Sequence, residues 1–297
     1  MGTSPVSERA RASGRIRYLI VACHPEPTAL VTVLTGLLAL GAGRGWRTFW
    51  VAGAVLAGQL AVGWTNDYVD RNLDRATGRL DKPLARSIAT GAGTGGPGLR
   101  PSTVRTAALA ALAACIPLSL ISGIGFAAAH FTAIALAMAY NAGLKATLLS
   151  AVPYTVAFGL VPVAVALSLP SPHWPPTWTI VAGSLIGAGG HFTQALPDIP
   201  SDRRLGIHGL PQAIGQRASG ATAAILLLAA NLTVALGPGR PGAVQLAGAS
   251  LAAILAGGIT AAALTGRPKL AFRLTLAAAT LAVLAFLASG RSLAPPT

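Results

Sequence analysis

A chain of 297 residues that is 53% hydrophobic and 10% charged, with a mean hydropathy of +0.62, carries too few charged groups to cover its apolar surface in water. Apolar runs of about 18 or more residues recur along it, as expected of helices that cross a bilayer. The net charge of +14 does not mark a nucleic-acid binder, because the basic residues fall between the apolar runs and do not interleave with aromatics.

Residues 1–16, with Arg9, Arg11 and Arg15, read as a disordered cytoplasmic tail. The first span covers roughly 17–40 and opens with CHPEP at 23–27, whose two prolines suit a first turn or a break near the interface. The second span, roughly 48–73, carries acids on its last turns. A polar segment at about 75–102 contains the Gly-rich GAGTGGPG, which reads as a flexible tip, since it matches no phosphate-loop pattern. Spans three to five are expected at about 103–121, 123–140 and 147–169, with YNAGLK at 140–145 closing the fourth. A Pro-rich link leads to span six at about 177–197, which ends in LPDIPSDRRLG. Spans seven to nine are expected at about 218–237, 243–264 and 270–288, followed by a short tail at 289–297. Cys23 and Cys115 share no pairing or ligand spacing and read as small packed residues.

The charge pattern gives the nine spans a direction. With the N-terminus in the cytoplasm, the inner segments hold 18 Lys and Arg and the outer segments 4, so the C-terminus is expected outside the cell membrane. The same orientation puts the acidic segments and YNAGLK on the cytoplasmic side.

Six of the eight acidic residues lie in two short segments. Asp67, Asp70 and Asp74 are spaced i, i+3, i+7, which places them on one face of a helix end. Like charges so close repel, and desolvation at the membrane edge adds to the cost. A divalent cation offsets both, and oxygen ligands from Asp and from the adjacent Asn66 suit Mg²⁺. The alternative is a solvated helix end whose acids pair with Arg71, Arg75 and Arg79, which accounts for one Asp more readily than for three. Asp198 and Asp202, spaced i, i+4, would form a second metal-binding wall. Pro197 and Pro200 imply that the helix breaks there, with Asp198 near the start of a new turn.

Residues 66–74 read NDxxDxxxD and residues 198–202 read DxxxD. These motifs, with YNAGLK, Pro153-Tyr154 and Phe158-Gly159, resemble the UbiA superfamily of intramembrane prenyltransferases over nearly the whole chain. The resemblance implies an all-α integral membrane fold, with nine transmembrane helices in a bundle around a central cavity opening to the cytoplasmic side. The helical domain would span 17–288, with loops at about 75–102 and 198–216 capping the site. It implies Mg²⁺-dependent transfer of a prenyl group from its diphosphate, the enzyme class that transfers alkyl groups other than methyl. By position, Asn66, Asp67, Asp70, Asp74, Asp198 and Asp202 would bind the metal. Asp67, Asp70, Asp198 and Lys145 would be catalytic. Asn66, Lys82, Tyr140, Asn141 and Lys145 would contact the substrate. Lys82 stands where the family more often has Arg, which favours a point-charge contact over a bidentate one.

Outside the motifs, His191 and Gln194 lie one to two turns before Asp198 and are candidates for binding the acceptor. Arg203 is a candidate diphosphate contact, with topology charge as the simpler account. The remaining histidines, His24, His130, His173 and His208, share no metal spacing. The expected partners are a prenyl diphosphate, an aromatic acceptor and the lipid bilayer, without nucleic acid or an obligate protein partner. A terpene cyclase on the same scaffold is the alternative, since it would ionise the same diphosphate without an acceptor. Acceptor identity and chain length are not written in the motifs.

Overall fold

The computed structural model describes residues 14, 16–90, 99–237, 239, 241–288 and 293. The expected tails at 1–16 and 289–297 lie almost wholly outside the described residues, and the Gly-rich tip at 91–98 lies outside them entirely. Every element among the described residues is a helix or turn. The chain divides into two compact units, residues 1–32 with 53–118 and residues 33–52 with 119–297.

The first unit is built on α3, Thr48–Ala76, which runs on from the second unit at 52. Its 29 residues make a rod about 44 Å long at about 1.5 Å per residue, against a hydrocarbon core of about 30 Å. The excess length carries the last turns, with their acids, out of the apolar layer. Two helices, α1 (Ile16–Ala22) and α2 (Pro25–Gly41), meet at a bend of 71°. The bend is made by His24, whose φ of +55° lies in the left-handed region, and by Pro25, which starts α2 without needing an N–H. Thr28 ties it down, donating Oγ1 to Cys23 O at 2.7 Å and its N–H to His24 O at 3.1 Å.

This bend presses on α3 at Gly63, where an added Cβ would stand 2.7 Å from Cys23 O. Trp64 Nε1 donates to Leu19 O at 2.9 Å beside it. After α3 the chain turns into a short helix, α4 (Pro83–Ala89), whose buried Leu84 packs with Ala22, Leu99 and Val104. The helix α5, Pro101–Ser122, returns along α3, with Cys115 Sγ 3.7 Å from Ala54 O. Both cysteines are free and buried, as the spacing suggests.

The second unit contains α6 (Ile124–Asn141), α7 (Val152–Leu167), α8 (Thr177–Ala195), α9 (Ile199–Arg204), α10 (Leu210–Ile214), α11 (Gln216–Leu236), α12 (Ala243–Leu264) and α13 (Pro268–Ala288). Its core gathers Phe192, Leu196, Ile199, Leu227 and Ile259. Asn231 is buried there and is satisfied by Leu227 O at 2.9 Å and Ala278 O at 3.3 Å. The tightest packing is between α7 and α8. A Cβ at Gly183 would stand 2.5 Å from Phe158 O, and one at Gly187 would collide with Tyr154 O. Small residues one turn apart let two membrane helices approach backbone to backbone. Gly183, Gly187 and His191 follow at four-residue steps, so this packing aims His191 at α7.

Among the described residues six helices are long and apolar enough to cross a membrane, or seven if the bent α1–α2 pair is one span, against nine expected from the sequence. The expected fifth span is α7, which has 16 residues. The expected sixth is α8, whose four glycines and polar His191, Thr193 and Gln194 dilute its hydropathy.

Gly187→Ala is expected to destabilise the protein by about 1–3 kcal/mol through overpacking against α7. Gly190→Ala, on the same helix with nothing within 4 Å of its added Cβ, should be neutral or stabilising. Thermal midpoints in detergent read the difference.

Candidate functional site

In the first unit the three acids of α3 have three different environments. Asp67 is 1% exposed, and both its carboxylate oxygens are buried without a hydrogen bond. The Leu84 backbone N–H lies near it without closing one, and of the charges acting on it the Lys82 ammonium is the strongest, with Asp74 and Asp70 repelling. Asp70 Oδ2 accepts from Asn66 Nδ2 at 2.9 Å. Asp74 is buried and pairs with Arg79 at 3.5 Å. Arg71 turns the other way, with its guanidinium 4.4 Å from the Tyr68 ring centroid and an N–H given to Tyr68 O. Pairing with arginine therefore accounts for Asp74, and the other two carboxylates have other neighbours.

Lys82 Nζ lies 2.9 Å from His24 Nε2. The side chain of Asn66 acts on the same imidazole. His24, Asn66, Asp67, Asp70 and Lys82 are thus neighbours, brought together by the α1–α2 bend, the end of α3 and the turn before α4.

A buried carboxylate with no donor is what a divalent cation satisfies. Among the described residues no three His, Cys, Asp or Glu side chains are gathered closely enough to hold a cation by themselves. Asp67, Asp70 and the Asn66 side-chain oxygen are all-oxygen donors, the set suited to an ion that keeps water and completes its shell with phosphate oxygens, which is the habit of Mg²⁺.

In the second unit the chain breaks after Ala195 as the prolines require, and Asp198 stands at the N-cap of α9 with Pro200 in its first turn. Asp202 Oδ2 accepts from Gln212 Nε2 at 2.7 Å. Arg203 gives Nε to Gln212 O at 2.6 Å and Nη2 to Ala213 O at 3.2 Å, so two of its donors hold α9 against α10. The YNAGLK segment meets this corner. A Cβ at Gly209 would stand 2.5 Å from Lys145 O, and the Leu210 N–H donates to Ser150 Oγ at 3.0 Å. Ser150 Oγ is in turn 3.1 Å from His191 Nε2. Asn141 is buried, and Lys145 sits half-buried in a turn of 3₁₀ helix.

His191 is 1% exposed and enclosed by rings, with centroids 5.7 Å from Tyr140 and 5.2 Å from Tyr154. Tyr154 donates its hydroxyl to Gln194 Oε1 at 2.8 Å. Tyr140, Tyr154, His191, Lys145 and Asp202 therefore belong to one corner of the second unit. His24, Ser150 and Gln212 were not singled out by spacing. The signal for His24 was its place before Pro25, and for His191 the GxxxGxxxH step on α8.

A profile of the UbiA prenyltransferase family matches residues 29–269. Among solved structures, the apo form of a UbiA homologue from Aeropyrum pernix K1 superposes with a TM-score of 0.68 at 21% identity, covering 93% of this chain and 98% of that one. A UbiA homologue from Archaeoglobus fulgidus bound to GPP and Mg²⁺ gives 0.59 at 16% identity, covering 92% and 98%. A digeranylgeranylglyceryl phosphate synthase gives 0.65 at 15% identity, covering 93% and 98%. At these identities the likeness is one of fold. No curated protein sequence matches the chain.

Asp67→Asn is expected to raise the thermal midpoint of the metal-free protein, because it replaces a buried, undonated charge worth about 1–3 kcal/mol by a neutral isostere. The same change should remove the stabilisation that added Mg²⁺ gives the wild type. Thermal unfolding with and without Mg²⁺ measures both effects.

Proposed function

The chain belongs to the UbiA prenyltransferase family, and from that premise we propose that it transfers a prenyl group from a prenyl diphosphate to an aromatic acceptor, releasing diphosphate. The observation that carries this reading is the buried, undonated Asp67 carboxylate inside NDxxDxxxD, with Asp70 and Asn66 in the same motif and Lys82 as the cation acting on it most strongly. The A. fulgidus homologue bound to GPP and Mg²⁺ supports the same donor class.

In this reading Asn66, Asp67, Asp70 and Asp74 hold Mg²⁺ in the first unit, and Asp198 and Asp202 hold it in the second. Bound Mg²⁺ supplies charge neutralisation for a departing diphosphate. Lys82 and Lys145 bind phosphate oxygens as point charges, with the N–H groups of Arg203 not used on α10 adding to them. Tyr140 and Tyr154 turn ring faces and edges toward the head of the prenyl chain, where they favour positive charge. His191 and Gln194 orient the acceptor, and Asn141 supports the Tyr140 segment. The apolar helices exclude water from a reactive allylic cation. The orientation goes with this chemistry: N-terminus and both acidic segments on the cytoplasmic side of the cell membrane, C-terminus outside.

The second reading, a cyclase that closes the prenyl chain on itself, uses the same first step. Purified protein with prenyl diphosphates of C5 to C20, with and without aromatic acceptors, decides between them by mass spectrometry. Transfer predicts an alkylated acceptor, and a hydrocarbon formed without acceptor would establish the cyclase instead. In either case diphosphate release should stop with a chelator and fall at least about 100-fold in Asp67→Ala and Asp70→Ala. Activity that persists in both variants would refute the metal assignment.

A further inference from the structure

We propose that His24 is a positioning residue for Lys82, and that the α1–α2 bend exists to place its imidazole between the basic turn and the acidic motif. The inference rests on the reading of Lys82 as a diphosphate contact. It concerns a residue that neither the NDxxDxxxD motif nor the basic turn includes.

The hydrogen-bond chemistry allows one polarity. A lysine ammonium is a donor only, so across the 2.9 Å contact Lys82 donates and His24 Nε2 accepts. The imidazole proton then sits on Nδ1. Asn66, which gives its Nδ2 to Asp70 Oδ2, also acts on this imidazole, so His24 stands between the basic turn and the acidic motif. Asp81 and Arg79 act on the same imidazole from the turn, and Lys82 acts on it most strongly. The contact with His24 fixes the direction of the Lys82 ammonium.

The backbone supports the same account. His24 holds a φ of +55°, which costs an L-residue about 1–2 kcal/mol, and it does so directly before a proline. The bend is braced on both sides, by Thr28 on Cys23 O and by the close approach of Cys23 to Gly63, one turn before Asp67. A bend needed only for topology would take glycine or asparagine at this position.

Two substitutions separate a side-chain role from a backbone role, because they should rank in opposite orders. Gln Oε1 reaches about as far as Nε2 and can accept from Lys82, but glutamine is less at ease in the left-handed region. Asn is at ease there, but its side chain is too short to reach the ammonium. The probe is inorganic pyrophosphate with Mg²⁺, and the readout is its Kd by calorimetry on the full-length purified protein. His24→Gln should stay within about threefold of wild type, and His24→Asn should bind about tenfold more weakly. In a Lys82→Met background His24→Asn should have no further effect.

If asparagine binds as well as glutamine or better, or if the His24→Asn loss persists in Lys82→Met, the positioning role is overturned. If glutamine unfolds the bend, seen as a lost thermal transition, the Lys82→Met cycle decides the question alone. A wild type that does not bind Mg²⁺–pyrophosphate overturns the underlying reading of the site and this inference with it. Wild-type binding with the ranks reversed overturns this inference only.

Discussion

Asp67 buries a carboxylate that no described residue hydrogen-bonds, near two further carboxylates on the same helix face. Such a group is a standing cost to folding, and the surrounding structure is arranged to bear it. The positive charge acting on it most strongly comes from Lys82, on a turn closed by α4. Asp74 is drawn off by Arg79, which lowers the repulsion around Asp67. The packed cluster of Ala22, Leu84, Leu99 and Val104 fastens the bend and the basic turn to the first unit. A site whose members already met all their own hydrogen bonds would have little left to offer a ligand.

The second unit solves a different problem. Gln212 donates to Asp202, and Asp198 heads a short helix broken out of a longer one by prolines. The polar network there runs from the backbone of α10 through Ser150 to His191, inside a wall of aromatic rings. The glycines of α8 make this possible by letting α7 approach closely enough for Tyr154 and His191 to touch. Rigid small-residue packing thus sets the position of the polar side chains, and the short connecting helices carry the acids.

Much of this was legible because charge is scarce in an apolar chain. Six acids in two segments, and eighteen basic residues on one side of the expected spans, stand out against a background with almost none. Helical spacing put Asp67, Asp70 and Asp74 on one face, and the prolines marked the break at Asp198. What spacing could not reveal was the difference among the three acids, because it depends on partners distant in sequence such as Arg79 and Lys82. The role of His24 was hidden for the same reason, since its neighbours lie 42 and 58 positions away. The expected fifth and sixth spans fall on α7 and α8, the first short and the second diluted by the glycines and polar groups that build the second unit's corner.

The length of α7 has a consequence for the surrounding lipid. Sixteen residues make a helix about 24 Å long, whereas α12 with 22 residues reaches about 33 Å. A hydrocarbon layer of about 30 Å fits the second and not the first. A layer matched to α12 would have to thin locally to match α7 at its exposed Val152 and Val156, at a fraction of a kcal/mol for each ångström of mismatch. A thinned, disordered annulus beside Tyr154 is where an amphiphile with a long hydrocarbon tail could slide its polar head to the depth of the aromatic wall, and bilayer thickness becomes a variable that tunes how readily it does so.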